Sequence, residues 1–301
     1  MSESPVTVPV CYRHPSKETY VRCTRCDRPI CPDCMNAASV GHQCPECVAE
    51  GRRTQRPVRT AFGGSAAGRA GTVTKTLIGV NVAVMVLSIA LGGLGAVAGG
   101  GMGGLLGGNT SLTDALSVLG NAAYVANGPV HGIAQGEWYR LVTAMFVHYG
   151  VLHLLLNMYA LWILGRELER VLGPLRFAGL YLVAGLGGNV AAYVFSPPYV
   201  PAAGASTAVF GLMAGMFVVL KRLNLSVAPI LPVIVINLVF TFAVANISVA
   251  GHLGGLVVGA IAAAVIAYAP KERRSLVQGV GLAIIVLALI GLAVYRTMAL
   301  T

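Results

Sequence analysis

Three short polar constellations could do chemistry in this chain: His148-x4-His153-x3-Asn157, Gly204-Ala205-Ser206-Thr207, and His252-Leu253-Gly254-Gly255 followed by Gly259. Each stands at the entrance to a separate apolar segment, where an ionisable or strongly polar side chain costs free energy unless it pairs or does work. A serine hydroxyl is a poor nucleophile at neutral pH and needs an adjacent base, and His252 is the base on offer. His153 and Asn157, four apart on one helical face, and the backbone N–H of Ser206 are donors able to hold a developing oxyanion. The chemistry these groups fit is acyl transfer, that is, peptide hydrolysis. No acidic residue falls in the outer half of any core apolar segment, so a Ser–His dyad is expected. Phe210, one turn below Ser206, is placed to stack on the His252 ring.

A second chemistry is written into residues 1–50, which hold all seven cysteines of the chain. Cys11-x2-His14, Cys23-x2-Cys26, Cys31-x2-Cys34 and Cys44-x2-Cys47 are four pairs, each able to bite one ion. An odd cysteine count in a cytoplasmic setting points to metal rather than to disulfides. Two tetrahedral structural Zn2+ sites follow, with the pairs expected to interleave. Cys11, His14, Cys31 and Cys34 would take one ion, and Cys23, Cys26, Cys44 and Cys47 the other. His42 is a spare imidazole that could replace Cys44. Closed four-ligand sites leave no open position for substrate, so the module reads as a stability or docking element with a protein partner of its own.

The elements that must position these groups are membrane-length helices. Hydrophobic residues make up 56% of the 301 and charged residues only 11%, which excludes an ordinary soluble protein. Seven apolar runs stand out: Leu77–Ala96, Leu152–Leu164, Phe177–Phe195, Ala208–Leu220, Ile230–Val244, Gly254–Ala269 and Leu276–Val294. Several reach spanning length only with their mildly polar flanks. The second and fourth are weakest in hydropathy because they carry the candidate catalytic groups.

The net charge of +10 does not point to nucleic acid, because its placement is topological. Arginines and lysines cluster at residues 52–75, 166–176, 221–222 and 271–274, all on one side if the helices alternate, with Arg140 and Arg296 as exceptions. By the positive-inside rule that side is the cytoplasm. The chain is therefore expected to be a multi-pass cell-membrane protein with a cytoplasmic N-terminus and its polar cluster near the outer leaflet. No cleavable signal peptide is expected, since the first residues are polar and the first apolar run starts late.

Between the module and the first run, residues 51–73 are basic and Gly/Ala-rich, and read as a flexible linker. Gly92 to Gly108 reads as a mobile low-complexity stretch. The long loop to His148 should hold short interfacial helices, with Trp138 and Tyr139 as interfacial anchors. Gly255 and Gly259 lie on the His252 face and allow close helix approach. Gly211 is offset from the Ser206 face and supports that packing less well. Asn189 and Asn237 read as helix–helix hydrogen-bond partners.

In order and setting these motifs resemble the rhomboid intramembrane serine proteases, over roughly residues 74–300. The resemblance implies an all-α polytopic fold, a six-helix core plus a seventh C-terminal transmembrane helix. It casts Ser206 as nucleophile, His252 as general base, and His153, Asn157 and the Ser206 amide as the oxyanion hole, with no catalytic cofactor. Trp138 and Arg140 match a structural loop motif, and His148 a further family histidine. The substrates implied are membrane proteins cut in or near a transmembrane segment, within the lipid bilayer. Residues 1–50 resemble a small cross-braced, B-box-like zinc finger. One position departs: where rhomboids read Gly-x-Ser-Gly, this chain has Thr207. A β-branched residue there could crowd the oxyanion site, and the alternative function is a catalytically inactive rhomboid-like protein that binds membrane clients.

Overall fold

The computed structural model describes residues 8–55, 59–65, 71–93, 108–125 and 128–301. The chain divides into two compact units, Met1–Pro57 and Val58–Thr301.

In the first unit the cysteines themselves are the core. Cys11, Cys23, Cys31, Cys34, Cys44 and Cys47 are buried around Ile30. A two-stranded antiparallel ribbon, β1 (Asn36–Ala37) with β2 (His42–Gln43), leads into helix α1 (Pro45–Thr54). Cys44 is the N-cap of α1, its sulfur accepting from the Cys47 N–H.

The second unit is helical. Helices α2 (Thr72–Gly92), α5 (Val151–Leu172), α6 (Pro174–Phe195), α7 (Ser206–Arg222), α8 (Ile230–Ala243), α9 (Val249–Tyr268) and α10 (Arg274–Leu300) each overlap one of the seven apolar runs, residues 94–96 of the first run lying outside the described residues. Five of the segments, α2, α5, α6, α9 and Lys271–Leu300, are long and apolar enough to cross a membrane. The chain is a multi-pass membrane protein.

Helices α6, α7 and α9 form the centre, and glycine is why they can. A Cβ built on Gly259 would lie 2.3 Å from the Gly211 Cα, and one on Gly254 would lie 2.2 Å from the Ala191 Cβ. Without side chains at these points the backbones touch, which is how membrane helices gain packing when apolar burial cannot distinguish protein from lipid. Gly211, judged from the sequence to be offset, is therefore a direct partner of Gly259. Helix rotation, which spacing from Ser206 does not fix, decides this.

The helix ends are tied by polar groups. Buried Glu169 on α5 accepts from the Val73 N–H at 2.9 Å, the Thr74 N–H at 2.9 Å and the Thr74 hydroxyl at 2.8 Å. A carboxylate thus caps the N-terminus of α2, where the helix dipole favours negative charge. Between α6 and α10, the Tyr193 and Thr297 hydroxyls bond at 2.8 Å, and Arg176 donates to Gln278 at 2.7 Å.

Of the basic stretch 51–73, the described residues include 51–55 and 59–65. Residues 51–54 close α1, and Phe62 is buried in the main core of the second unit. Gln278 donates to the Phe62 carbonyl at 3.2 Å and Arg274 to the Ala61 carbonyl at 3.0 Å. One aromatic side chain with a pocket to fill overrides a Gly-rich composition. Of the Gly92–Gly108 stretch, residues 94–107 lie outside the described residues.

The long loop contains the expected short helices, α3 (Ser111–Leu116) and α4 (Arg140–Thr143), with a 3-10 turn at Ile133–Gln135. It also contains an unexpected hairpin, β3 (Ala123–Val125) with β4 (Gly128–Val130).

Candidate active site

Ser206 is the first residue of α7, and the loop preceding it is held from three directions. The Ala202 and Val118 backbones exchange hydrogen bonds of 2.8 and 3.0 Å. The Gly204 N–H donates to the Ala144 carbonyl at 2.9 Å, and the Ala205 N–H to His148 Nε2 at 3.2 Å. His148 thus shapes the turn that presents the serine. Gly204 has φ +128°, and a Cβ there would lie 2.7 Å from the His153 ring. Both facts require glycine.

The long loop is itself braced by Arg140, which is 1% exposed. Its guanidinium donates to the carbonyls of Asp114 at 2.7 Å and Ser117 at 3.0 Å, and pairs with Glu137 at 2.6 Å. One planar, always-charged donor set thereby ties α3 to α4. Trp138 and Tyr139 remain part-exposed beside it.

His252 lies in the first turn of α9, whose N-cap Ser248 accepts from the Gly251 N–H at 3.1 Å. His252 Nε2 and Ser206 Oγ are 2.8 Å apart. The Phe210 ring stacks on the imidazole at 4.2 Å between centroids and 18° between planes. The contact of α7 with α9 directly below makes this reach possible: a Cβ on Gly255 would lie 2.0 Å from the Thr207 carbonyl oxygen.

His153, Asn157, Ser206 and His252 line one cavity of about 340 Å3. One Asn157 amide hydrogen is engaged by the His153 carbonyl at 2.9 Å, leaving the second free to turn to a ligand. The His153 and His148 rings meet edge to face at 5.0 Å.

Thr207 is buried between α6 and α9. Its side chain faces Gly188 and Gly251, where added Cβ atoms would lie 2.6 Å from its Cβ and 3.3 Å from its Cγ2, and its hydroxyl donates to Asn189 at 3.4 Å. Two glycines provide the room that a β-branched residue needs. Asn189 also donates to the Leu141 carbonyl at 2.9 Å, so it joins separate elements as expected. Asn237 does not: its amide bonds to Val233 of its own helix at 2.8 Å.

One group at the site was missed in the sequence. Thr241, on α8, is 2% exposed, and its hydroxyl lies 2.8 Å from His252 Nδ1. A threonine in an apolar helix carries no motif signal.

In the first unit, the ligand atoms of Cys11, His14, Cys31 and Cys34 lie within 4.8 Å of one another, as do those of Cys23, Cys26, Cys44 and Cys47. His42 is exposed and belongs to neither group. Tetrahedral Zn2+ with bonds of about 2.3 Å to sulfur needs S–S edges of about 3.8 Å. Cys26 and Cys44 sulfurs are 3.8 Å apart, and His14 Nδ1 stands 3.2 and 3.4 Å from Cys31 and Cys34. Burial pushes the Cys11 and Cys23 thiols up, but backbone N–H donors outweigh it and bring each down to about 6. Burial and neighbouring sulfurs push Cys34 up to about 11 and Cys47 to about 12. A cation at each centre relieves that crowding of negative charge, so both clusters fit metal ions.

A polytopic helical membrane protein with a hydrogen-bonded serine and histidine facing a cavity is the class that fold and site define. A rhomboid domain model matches residues 135–269. The rhomboid protease GluP of Bacillus subtilis is 46% identical over 137 residues, which are 44% of this chain and 27% of that protein. The rhomboid-family protein YdcA of the same organism is 36% identical over 148 residues, covering 48% of this chain and 74% of YdcA. RHOMBOID-like protein 6, mitochondrial, of Arabidopsis thaliana is 34% identical over 137 residues, 42% of this chain and 43% of that protein. The chain belongs to the rhomboid family. It spans only about a quarter of GluP and under half of the Arabidopsis relative.

Proposed function

We propose that this protein is an intramembrane serine endopeptidase that cuts other membrane proteins in or near a transmembrane segment. The observation carrying this reading is the 2.8 Å contact of Ser206 Oγ with His252 Nε2, made across two helices and oriented by Phe210. Ser206 attacks the scissile carbonyl as His252 takes its proton. The Ser206 N–H, the His153 ring and the Asn157 amide receive the oxyanion. His252 then gives the proton to the leaving amine, and water entering the cavity hydrolyses the acyl-enzyme.

The helix lengths favour a site within the membrane. The 17 residues of α7 span roughly 25 Å, less than the roughly 30 Å hydrocarbon thickness. With Lys221 and Arg222 held at one interface, Ser206 sits below the opposite one. The positive-inside pattern makes that the outer leaflet and the N-terminus cytoplasmic. The two Cys/His clusters hold structural Zn2+, and the module they form docks a cytoplasmic partner. The inactive, client-binding reading rested on Thr207, whose side chain is turned to Gly188 and Gly251.

The test is cleavage of single-span model substrates in liposomes by wild type, Ser206→Ala and Thr207→Gly. Wild type cuts and Ser206→Ala does not. Cutting confined to Thr207→Gly would instead make the natural chain an inactive client-binding protein.

A further inference from the structure

We propose that Thr241 is a positioning residue for the dyad: it fixes the ring orientation and tautomer of His252 from a helix that carries none of Ser206, His252, His153 and Asn157. The proposal rests on the Ser206–His252 reading above and deepens it. The Thr241 hydroxyl has one hydrogen. It lies 2.8 Å from the Asn237 carbonyl, which can only accept. That hydrogen is therefore committed, and toward His252 Nδ1, 2.8 Å away, the hydroxyl oxygen must accept. The ring then carries its proton on Nδ1. Nε2 is left with a lone pair facing the Ser206 hydroxyl at 2.8 Å, the arrangement a general base needs. When Nε2 takes the serine proton, the imidazolium still donates from Nδ1 to Thr241, so the same bond persists through the step.

This is the place a carboxylate would take in a triad, filled by a neutral acceptor that costs less to bury in a membrane helix. The dependence on α8 is physical as well. Among its residues only Ile230 and Thr241 are buried, while Val235, Ile236, Val239 and Phe242 are exposed. Helix α8 is thus lightly held, and the dyad is set only while its outer end stays against α9.

The experiment compares wild type, Thr241→Val, Thr241→Ser and Ser206→Ala for fluorophosphonate labelling rate and for kcat and KM on a single-span substrate in liposomes. Valine keeps the shape and removes the acceptor, while serine keeps the acceptor. Thr241→Val lowers labelling and kcat by about 10- to 100-fold with KM within about twofold, and Thr241→Ser restores both to within about threefold of wild type. Equal losses in the two variants, a loss carried by KM, or a Thr241→Val as fast as wild type would overturn the proposal. Wild type that neither labels nor cuts would remove the dyad reading itself, and this proposal with it.

Discussion

Replacing Gly255 by alanine adds one methyl group where α9 meets α7, and the structure gives the consequence. The new Cβ would lie 2.0 Å from the Thr207 carbonyl oxygen. An ordinary carbon–oxygen contact is about 3.3 Å, so the helices must part by about 1.3 Å. The obstacle is backbone, and no side-chain rotation can relieve it. Gly255 lies one turn below His252, so the separation passes almost fully to the dyad. The Ser206–His252 distance rises from 2.8 Å to about 4 Å, outside hydrogen-bond range. A misplacement of that order costs roughly 100-fold in rate, or about 2.7 kcal/mol. Gly279→Ala is the matched control: nothing lies within 4 Å of its added Cβ, and alanine there gains helix propensity. Cleavage in liposomes and fluorophosphonate labelling of purified variants measure both. If Gly255→Ala stayed within about threefold of wild type, the claim that glycine contact sets the dyad distance would be refuted.

Two further outcomes follow from other parts of the chain. Glu169→Gln turns an amide N–H2 toward the N-terminus of α2 and should destabilise the membrane unit by roughly 1–3 kcal/mol, read as a lower Tm in detergent, and an unchanged Tm would deny the cap. Metal analysis should find two Zn2+ per chain, one in Cys44→Ser and two in His42→Ala, whereas loss of an ion in His42→Ala would give the ligand role to the imidazole.

The sequence carried the helical class, the seven apolar segments and the rhomboid likeness, because each rests on local periodicity and spacing. Hydropathy over a window reports burial in lipid without any knowledge of which helices meet. Four Cys/His pairs at bite spacing likewise limit the metal chemistry before any fold is known. Phe210 beside His252 was legible for the same reason, since positions four apart share a helix face.

What the sequence did not carry depends on helix rotation and on contacts between distant segments. Gly211 was discounted from its angle to Ser206, yet it lies against Gly259 because α7 turns that face to α9. Residues 59–65 read as linker by composition, while Phe62 found a pocket formed by helices far along the chain. Thr207 looked like a defect until Gly188 and Gly251 were seen to receive it. Thr241 was invisible, since a threonine in an apolar helix usually bonds only to its own backbone. The sequence alone determined which groups the membrane must accommodate. The tertiary structure decided which of them touch, because close packing of backbones, through glycines spread over three helices, sets distances that no spacing along one helix can fix.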